Sequence, residues 1–291
     1  MSLPNATMLS NADSRVRATR EEEAPVTVGP APVKNHRARR TRRVSPVGLI
    51  SLVLGLGIWE VAVRVLHPST LVIVAPSEIV TKLFQIFADG SLWPDLSISM
   101  EAFVIGYGLA VVIAVPLGLI IGSSTGTYRW TRLWITGLYA TPIIGLAPLF
   151  VIIFGFGLTA KAAVVLSLSI FPILINTISG ARAVGTDYRE LAVVFGAKRT
   201  ETFRKVTLPG STPFIATGLR LAVGRGLIGV VVADLFGASA GLGLNLQKSA
   251  GAFDTAGIYA VTLLLAFIGI ALTSVIEVFE RRAYARSGIS S

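Results

Sequence analysis

Apolar and polar positions divide this chain into two unlike parts. Residues 1 to about 45 have almost no apolar periodicity, whereas from Val47 onward long apolar runs alternate with short polar breaks. The runs lie near 47–66, 102–122, 133–154, 162–179, 214–236 and 258–278. Each is long enough to cross a ~30 Å hydrocarbon core at about 1.5 Å per residue. They predict an all-α, polytopic membrane fold with about six transmembrane helices, preceded by a tail over residues 1–45. A membrane domain over 46–291 follows, with its longest polar loop at 180–212.

Shorter patterns fill in the connections. Glu60 and Arg64 stand four apart near the end of the first run, a spacing that lets them pair on one helix face. Ala75-Pro76-Ser77-Glu78, followed by Ile79, Val80, Leu83, Phe84 and Phe87, predicts an amphipathic surface helix with Ser77 as its N-cap and Asp89-Gly90 as its stop. Glycine and proline recur within the spans, among them Gly106, Gly118, Gly122, Pro142, Pro148 and Pro172. Such residues permit kinks and close helix approach, and Gly118 with Gly122 forms a small-xxx-small pair.

Charge then orients these spans. The chain carries 26 Lys and Arg against 16 Asp and Glu, a formal net charge of +10. Nucleic acid is not the reason, because the basic residues follow topology. With both termini in the cytoplasm, twenty of them fall on the cytoplasmic side: nine in the tail, Arg129 and Arg132, six in the 180–212 loop, and Arg281, Arg282 and Arg286. The tail, with Glu21, Glu22, Glu23, several prolines and the Arg37–Arg43 cluster, has the composition of a disordered segment. Its basic cluster suits a topology signal or contact with anionic membrane lipid.

Composition also narrows the chemistry. There is no cysteine, which removes disulfide, iron–sulfur and thiolate-zinc chemistry, and only His36 and His67, which are not at metal-ligand spacing. No metal or other cofactor is expected. No lysine follows a glycine, so the end of a phosphate-cradling loop is absent and ATP is not hydrolysed by that route in this chain. No nucleophile–base constellation suggests an enzyme.

Within the polar loop, Glu190 to Phe195 and Arg199 to Leu208 are each read as a short helix, joined at Gly196 and ended by Pro209. Leu191, Val194 and Phe195 form an apolar knob, Phe203 and Val206 a second patch, and Lys198, Arg199, Arg204 and Lys205 a basic rim. Apolar anchors inside a charged rim describe a protein–protein contact, the alternative being an interfacial helix resting on anionic lipid.

The same stretch resembles a known family. The pattern Glu-x-Ala-x-x-x-Gly, nine residues, an aliphatic residue, any residue, then Leu-Pro is the signature loop of inner-membrane permease subunits of binding-protein-dependent ABC importers. Here Glu190, Ala192, Gly196, Val206, Leu208 and Pro209 occupy it, with Leu191 in place of the first alanine of the Glu-Ala-Ala form. Further matches extend over roughly residues 50–283. They include Leu146-Ala147-Pro148-Leu149, Phe154-Gly155-Phe156-Gly157, Lys161, Phe171-Pro172-Ile173, Gly218-Leu219-Arg220 and Gly241-Leu242-Gly243. These resemble the sulfonate, nitrate and taurine branch, in which Asp234 stands where a glutamate is common.

The resemblance implies a type I ABC importer permease in the bacterial inner membrane. It implies cytoplasmic ABC ATPase subunits, a second permease copy in a homodimer, and a periplasmic or extracellular solute-binding protein as partners. The loop would be the coupling helix, with Glu190, Leu191, Ala192, Val194, Phe195, Gly196, Leu208 and Pro209 at the ATPase contact. The solute would be a small sulfonate-, taurine- or nitrate-like anion. Arg220, Arg225 and Asp234, charges in or beside the fifth run, are candidates for the solute pathway because ionisable groups in a span are costly. The alternative is that both arginines snorkel to the cytoplasmic end and Asp234 is wetted at the outer end. The rival reading is a proton-coupled secondary transporter using Glu60, Asp234 and broken helices.

Overall fold

A computed structural model of the chain describes residues 46–184, 194–236 and 239–287. The tail, and with it Glu190, Leu191 and Ala192, lies outside the described residues. The chain divides into two units between Leu52 and Val53, a boundary inside the first helix. The account below concerns the second unit.

Among the described residues, all regular structure is helical. In chain order the helices are α1 (Pro46–Leu66), α2 (Pro76–Ala88), α3 (Leu92–Ser123), α4 (Thr125–Ala140) and, after a 3₁₀ turn at Ile143–Leu146, α5 (Ala147–Phe154). Then come α6 (Leu158–Ala183), α7 (Arg199–Thr202), a π-turn at Phe203–Thr207, α8 (Leu208–Leu235), α9 (Leu242–Gly251) and α10 (Thr255–Ser287). Four described stretches are long and apolar enough to span a membrane: Leu92–Ser123, Leu158–Ala183, Thr200–Leu235 and Thr255–Val278. A fifth arises if α4 and the Ile143–Phe154 stretch count as one broken span. α1, with 21 residues, covers the first predicted run.

Three sequence expectations need correction. The run 133–154 is not one helix: the chain bends by 74° between α4 and the Ile143–Phe154 stretch. Thr141, before Pro142, is pushed into extended backbone at φ −68°, ψ 133°, as proline's ring demands of its predecessor. Pro209 does not end a helix. It sits in the first turn of α8, and the wide turn before it, in which the Leu208 N–H donates to the Phe203 carbonyl, carries the helix past a residue that has no N–H. Ser77 is not an N-cap either, because α2 begins at Pro76 behind Ala75. Ser77 instead gives its N–H and hydroxyl to the two oxygens of Glu60, which also holds Arg64 at 2.7 Å. The predicted stop stands: Asp89 caps α2 and Gly90 follows at φ +70°.

The centre of the fold is α3, α6 and α8. Along α3, Ala102, Gly106, Ala110, Ala114, Gly118 and Gly122 recur every four residues, and all are buried. This stripe brings α3 against α6, with the two chains running the same way: Gly106 meets Ala162 and Val165, Gly118 meets Leu174 and Thr177, and Gly122 meets Ile178 and Ala181. A Cβ at Gly106 would stand 2.5 Å from the Ala162 carbonyl oxygen. α8 packs on α6 in the opposite direction, with Gly218 on Pro172 and Asn176 and Gly229 on Val165 and Leu168. Small residues are the means of assembly in lipid, where apolar side chains gain little by leaving the hydrocarbon and close backbone approach supplies the attraction.

α10 completes the bundle against α8. Its Ala260, Val261 and Leu264 join Val74, Ile79, Leu92 and Leu242 in two apolar clusters that seat α2 and α9. The large side chains that face outward, such as Ile58, Val112, Leu133 and Ile152, are apolar. That is the arrangement of a protein whose solvent is lipid.

Candidate functional site

Each end of the bundle carries a distinct set of polar groups. At one end the start of α3, the start of α6, the end of α8 and the start of α9 converge on Asp234, which is 1% exposed. Lys161 brings its ammonium to 2.6 Å from Asp234 Oδ1 and donates a hydrogen bond to the Ala240 carbonyl at 2.6 Å. Asp234 Oδ2 accepts from the Ser99 hydroxyl at 3.1 Å and from the Gly243 N–H at 3.0 Å. Ser99 Oγ in turn accepts the Leu242 N–H, and Asp95 accepts the Gly241 N–H and the Asn245 amide, each at 2.7 Å.

Glycine is required here for two reasons. Gly241 has φ +141°, and a Cβ on it would collide with the Asp234 carboxylate. Gly243 has no such backbone constraint, but a Cβ there would lie 2.5 Å from that of Asp234 and 2.6 Å from the Val231 carbonyl oxygen. The Gly241-Leu242-Gly243 turn is therefore wrapped directly around Asp234. Removing one partner of such a buried pair typically costs 3–5 kcal/mol, since the other charge is left without compensation. A second, outer clasp lies beside this knot: Lys82 on α2 pairs with Asp254 at 2.7 Å, and Asp254 accepts the Gly257 N–H ahead of α10.

At the opposite end, Val184 rests on Gly210, and the Arg182 guanidinium lies 3.9 Å above the Tyr128 ring. From here the chain reaches the segment singled out by its sequence. Val194 is 80% exposed and Phe195 81%. Gly196 turns the chain at φ +75°, with nothing within 4 Å of where a Cβ would stand, so the backbone conformation and not crowding favours glycine. The Lys198 N–H donates to Glu201 at 3.1 Å, fixing the start of α7. Leu208 is part-exposed and Pro209 half-buried at the head of α8.

The three charges of the fifth run do not share one site. Asp234 belongs to the buried knot. Arg220 pairs with Glu280 of α10 at 3.2 Å. Arg225 is exposed and, among the described residues, holds no acidic partner. It lines a cavity of about 180 Å³ with Tyr139, Thr141, Pro142, Ile144 and Phe171, at the break between α4 and α5. An arginine at the centre of a membrane helix costs about 2.5–3.5 kcal/mol even on the more lenient scales.

Sequence reasoning assigned no role to Asp95 or Ser99 and registered Lys161 only within a matching block. Its position as a lone cation at the start of an apolar run was the available signal.

Residues 114–284 match the family described as the binding-protein-dependent transport system inner membrane component. The chain belongs to that family. It is therefore a permease subunit of an ABC importer, a non-catalytic component of the inner membrane whose partners are an ATPase and a solute-binding protein. Among similar proteins, the formylaminopyrimidine transport permease protein ThiX of Halalkalibacterium halodurans is 30% identical over 213 residues, covering 73% of this chain and 84% of its own. The taurine transport system permease protein TauC of Escherichia coli is 29% identical over 238 residues, covering 80% of this chain and 86% of its own. A Bacillus subtilis protein provisionally named an aliphatic sulfonates transport permease is 29% identical over 235 residues, covering 81% of this chain and 85% of its own.

For this permease, membership assigns the energy source to ATP on a partner chain, and the proton-coupled alternative loses its motivation. Both charges that suggested it have partners, Glu60 with Arg64 and Ser77, and Asp234 with Lys161. The matched region takes in the Lys161–Asp234 pair and the exposed 194–209 segment alike.

Proposed function

We propose that the permease couples to its ATPase through the segment that ends at Pro209, and that two copies of the chain enclose a pathway for a small anion. The observation that carries the coupling reading is the exposed Val194-Phe195 pair beside the Gly196 turn, at the end of the bundle opposite the Asp234 knot. A large aromatic held in the open on a membrane protein's polar loop has the character of a binding anchor. Glu190, Leu191 and Ala192 complete the contact on this reading, and Leu208 and Pro209 hand its movement directly to α8 because the helix is continuous there.

Orientation is inferred from charge. The 180–212 loop, Arg129 and Arg132 belong to the basic side, which places the coupling segment in the cytoplasm, the knot and α9 on the outside, and both termini inside. Counting α1 with the broken α4–α5 span gives six crossings. The basic tail would then rest near anionic lipid of the inner leaflet.

Transport on this reading is a two-state shift. ATP closes the ATPase subunits, the segment moves with them, and α8 biases the pathway between two arrangements. An anionic solute of the sulfonate, taurine or nitrate type is favoured by the unpaired Arg225 and by two of the relatives' names. The name of the Halalkalibacterium relative favours a second reading, a formylaminopyrimidine.

Co-expression with the cognate ATPase and uptake in reconstituted vesicles test the coupling reading. Glu190→Arg and Gly196→Val should leave the permease inserted while abolishing ATP-driven uptake. Normal ATPase association and uptake in both variants would overturn it.

A further inference from the structure

Arg225 is a membrane-helix charge with no acidic partner among the described residues. It stands ten residues before Leu235 on α8, about 15 Å along the axis and thus near the middle of a ~30 Å core. Lipid headgroups lie too far away to be its counter-ion. No acidic group among the described residues pairs with it, whereas the neighbouring Arg220 has Glu280. A second, independent feature meets it: the backbone of the α4–α5 span is broken at Thr141–Pro142, and Thr141, Pro142 and Ile144 line the same cavity. Non-helical backbone at membrane depth is tolerated only where protein buries it or a water-filled cavity bathes it. The cavity wall holds one cation, the hydroxyl-bearing Thr141 and Tyr139, and otherwise apolar carbon, with no carboxylate.

We propose that Arg225, Thr141 and Tyr139 form a mid-membrane subsite that holds the anionic head, a sulfonate or similar oxyanion, of the transported solute. The guanidinium supplies the charge and two or more N–H donors to a planar face of oxyanion oxygens, which a lysine would supply only as a point charge. Tyr139 offers a hydroxyl donor to a remaining oxygen, and the Thr141 hydroxyl, which donates to the Gly137 carbonyl at 3.1 Å, reaches the solute by exchanging that bond. Pro142 and Phe171 keep the surroundings apolar, so the interaction is little screened and the site discriminates against cations. Residence need only be brief, since a pathway site must release what it holds. This subsite deepens the anion reading given above and stands on it.

The absence of cysteine allows a direct test on the full chain in membrane vesicles with its ATPase. In Thr141→Cys, the new thiolate attacks a methanethiosulfonate reagent, forming a disulfide and releasing methanesulfinate. The probes are the 2-sulfonatoethyl reagent, an anion, and the 2-(trimethylammonio)ethyl reagent, a cation, with labelling followed by the mass of this chain. Clefts of one sign raise local counter-ion concentration and rates by about 10-fold or more. The ratio of anionic to cationic labelling rate should therefore fall about 10-fold in Arg225→Gln and be largely kept in Arg225→Lys. Methanesulfonate should slow the anionic reaction more than chloride does at equal ionic strength, a reading that needs no change at Arg225. An unchanged ratio in Arg225→Gln, a thiol unreactive to both reagents, or absence of methanesulfonate protection would overturn the subsite. ATPase association measured on the same vesicles separates this failure from failure of the coupling segment.

Discussion

At one end of the bundle, a carboxylate, an ammonium, a hydroxyl and the amides of Gly241, Leu242 and Gly243 close on one another, with Asp234 at the centre. At the other, Val194 and Phe195 stand in the open beside a glycine whose only constraint is its own φ. The family match takes in the Lys161–Asp234 pair and the 194–209 segment, and both regions use glycine, charge and short turns. The difference is where the interactions are satisfied. The knot pairs its buried charges within the chain, so it fixes four helix ends relative to one another. The segment leaves its apolar surface unfilled, so its partner has to come from outside.

The largest effect that would break this contrast is at Asp234. Asp234→Ala strands Lys161 in a buried site and should destabilise the protein by about 3–5 kcal/mol. Adding Lys161→Met should recover most of that loss, as measured by unfolding in detergent. Equal stability of the single variant and the wild type would mean that the pair is not structural. At the other end, Phe195→Ala should cost ATPase affinity by about 2 kcal/mol or more, roughly 30-fold, as anchor residues do. Unfolding should shift by less than about 0.5 kcal/mol, because the side chain contributes little to packing. Quantitative co-purification beside a melting curve separates the two quantities.

How far these regions were legible in the sequence follows from the same contrast. Local patterns reported local features: the stop at Asp89-Gly90, the Glu60–Arg64 pair, the turn at Gly196 and the small-residue stripe around Gly118 and Gly122. The knot is assembled from residues 95 to 245, and no window in the sequence contains both Ser99 and Asp234. Asp234 on its own therefore read as a pathway charge. The bend at Pro142 and the continuity through Pro209 were misjudged for one physical reason: proline forbids a hydrogen bond, but whether the chain breaks or widens its turn depends on what packs around it. Arg225 was visible as a costly charge, while the cavity beside it needed the bend in α4–α5.

A smaller effect sharpens the role of glycine. Gly243→Ala forces a methyl group against Asp234 and the Val231 carbonyl and should cost about 1–3 kcal/mol by overpacking. Gly196→Ala meets no atom and should cost only its backbone preference, about 1 kcal/mol, in a segment whose loss does not unfold the bundle. Urea titrations of the two variants give the comparison.

The smallest expected effect concerns the outer clasp. At Asp254, burial opposes ionisation, but the Lys82 ammonium and the Gly257 N–H more than offset it and hold the carboxyl below its ordinary range. A depressed folded-state pKa stabilises above the ordinary carboxylate pKa, and that contribution is lost as pH falls through the folded value. Because the pair is part-exposed, the amount should be under about 1 kcal/mol. Lys82→Met should flatten the acid side of the stability profile.

Hydrogen exchange on the permease alone and in its nucleotide-free complex with the ATPase tests the central claim most directly. Amides of residues 194–208 should exchange fast in the isolated permease and gain protection in the complex, while those of Gly241, Leu242 and Gly243 should be protected in both. Unchanged exchange across 194–208 when the ATPase is bound would contradict the assignment of that segment as the coupling surface.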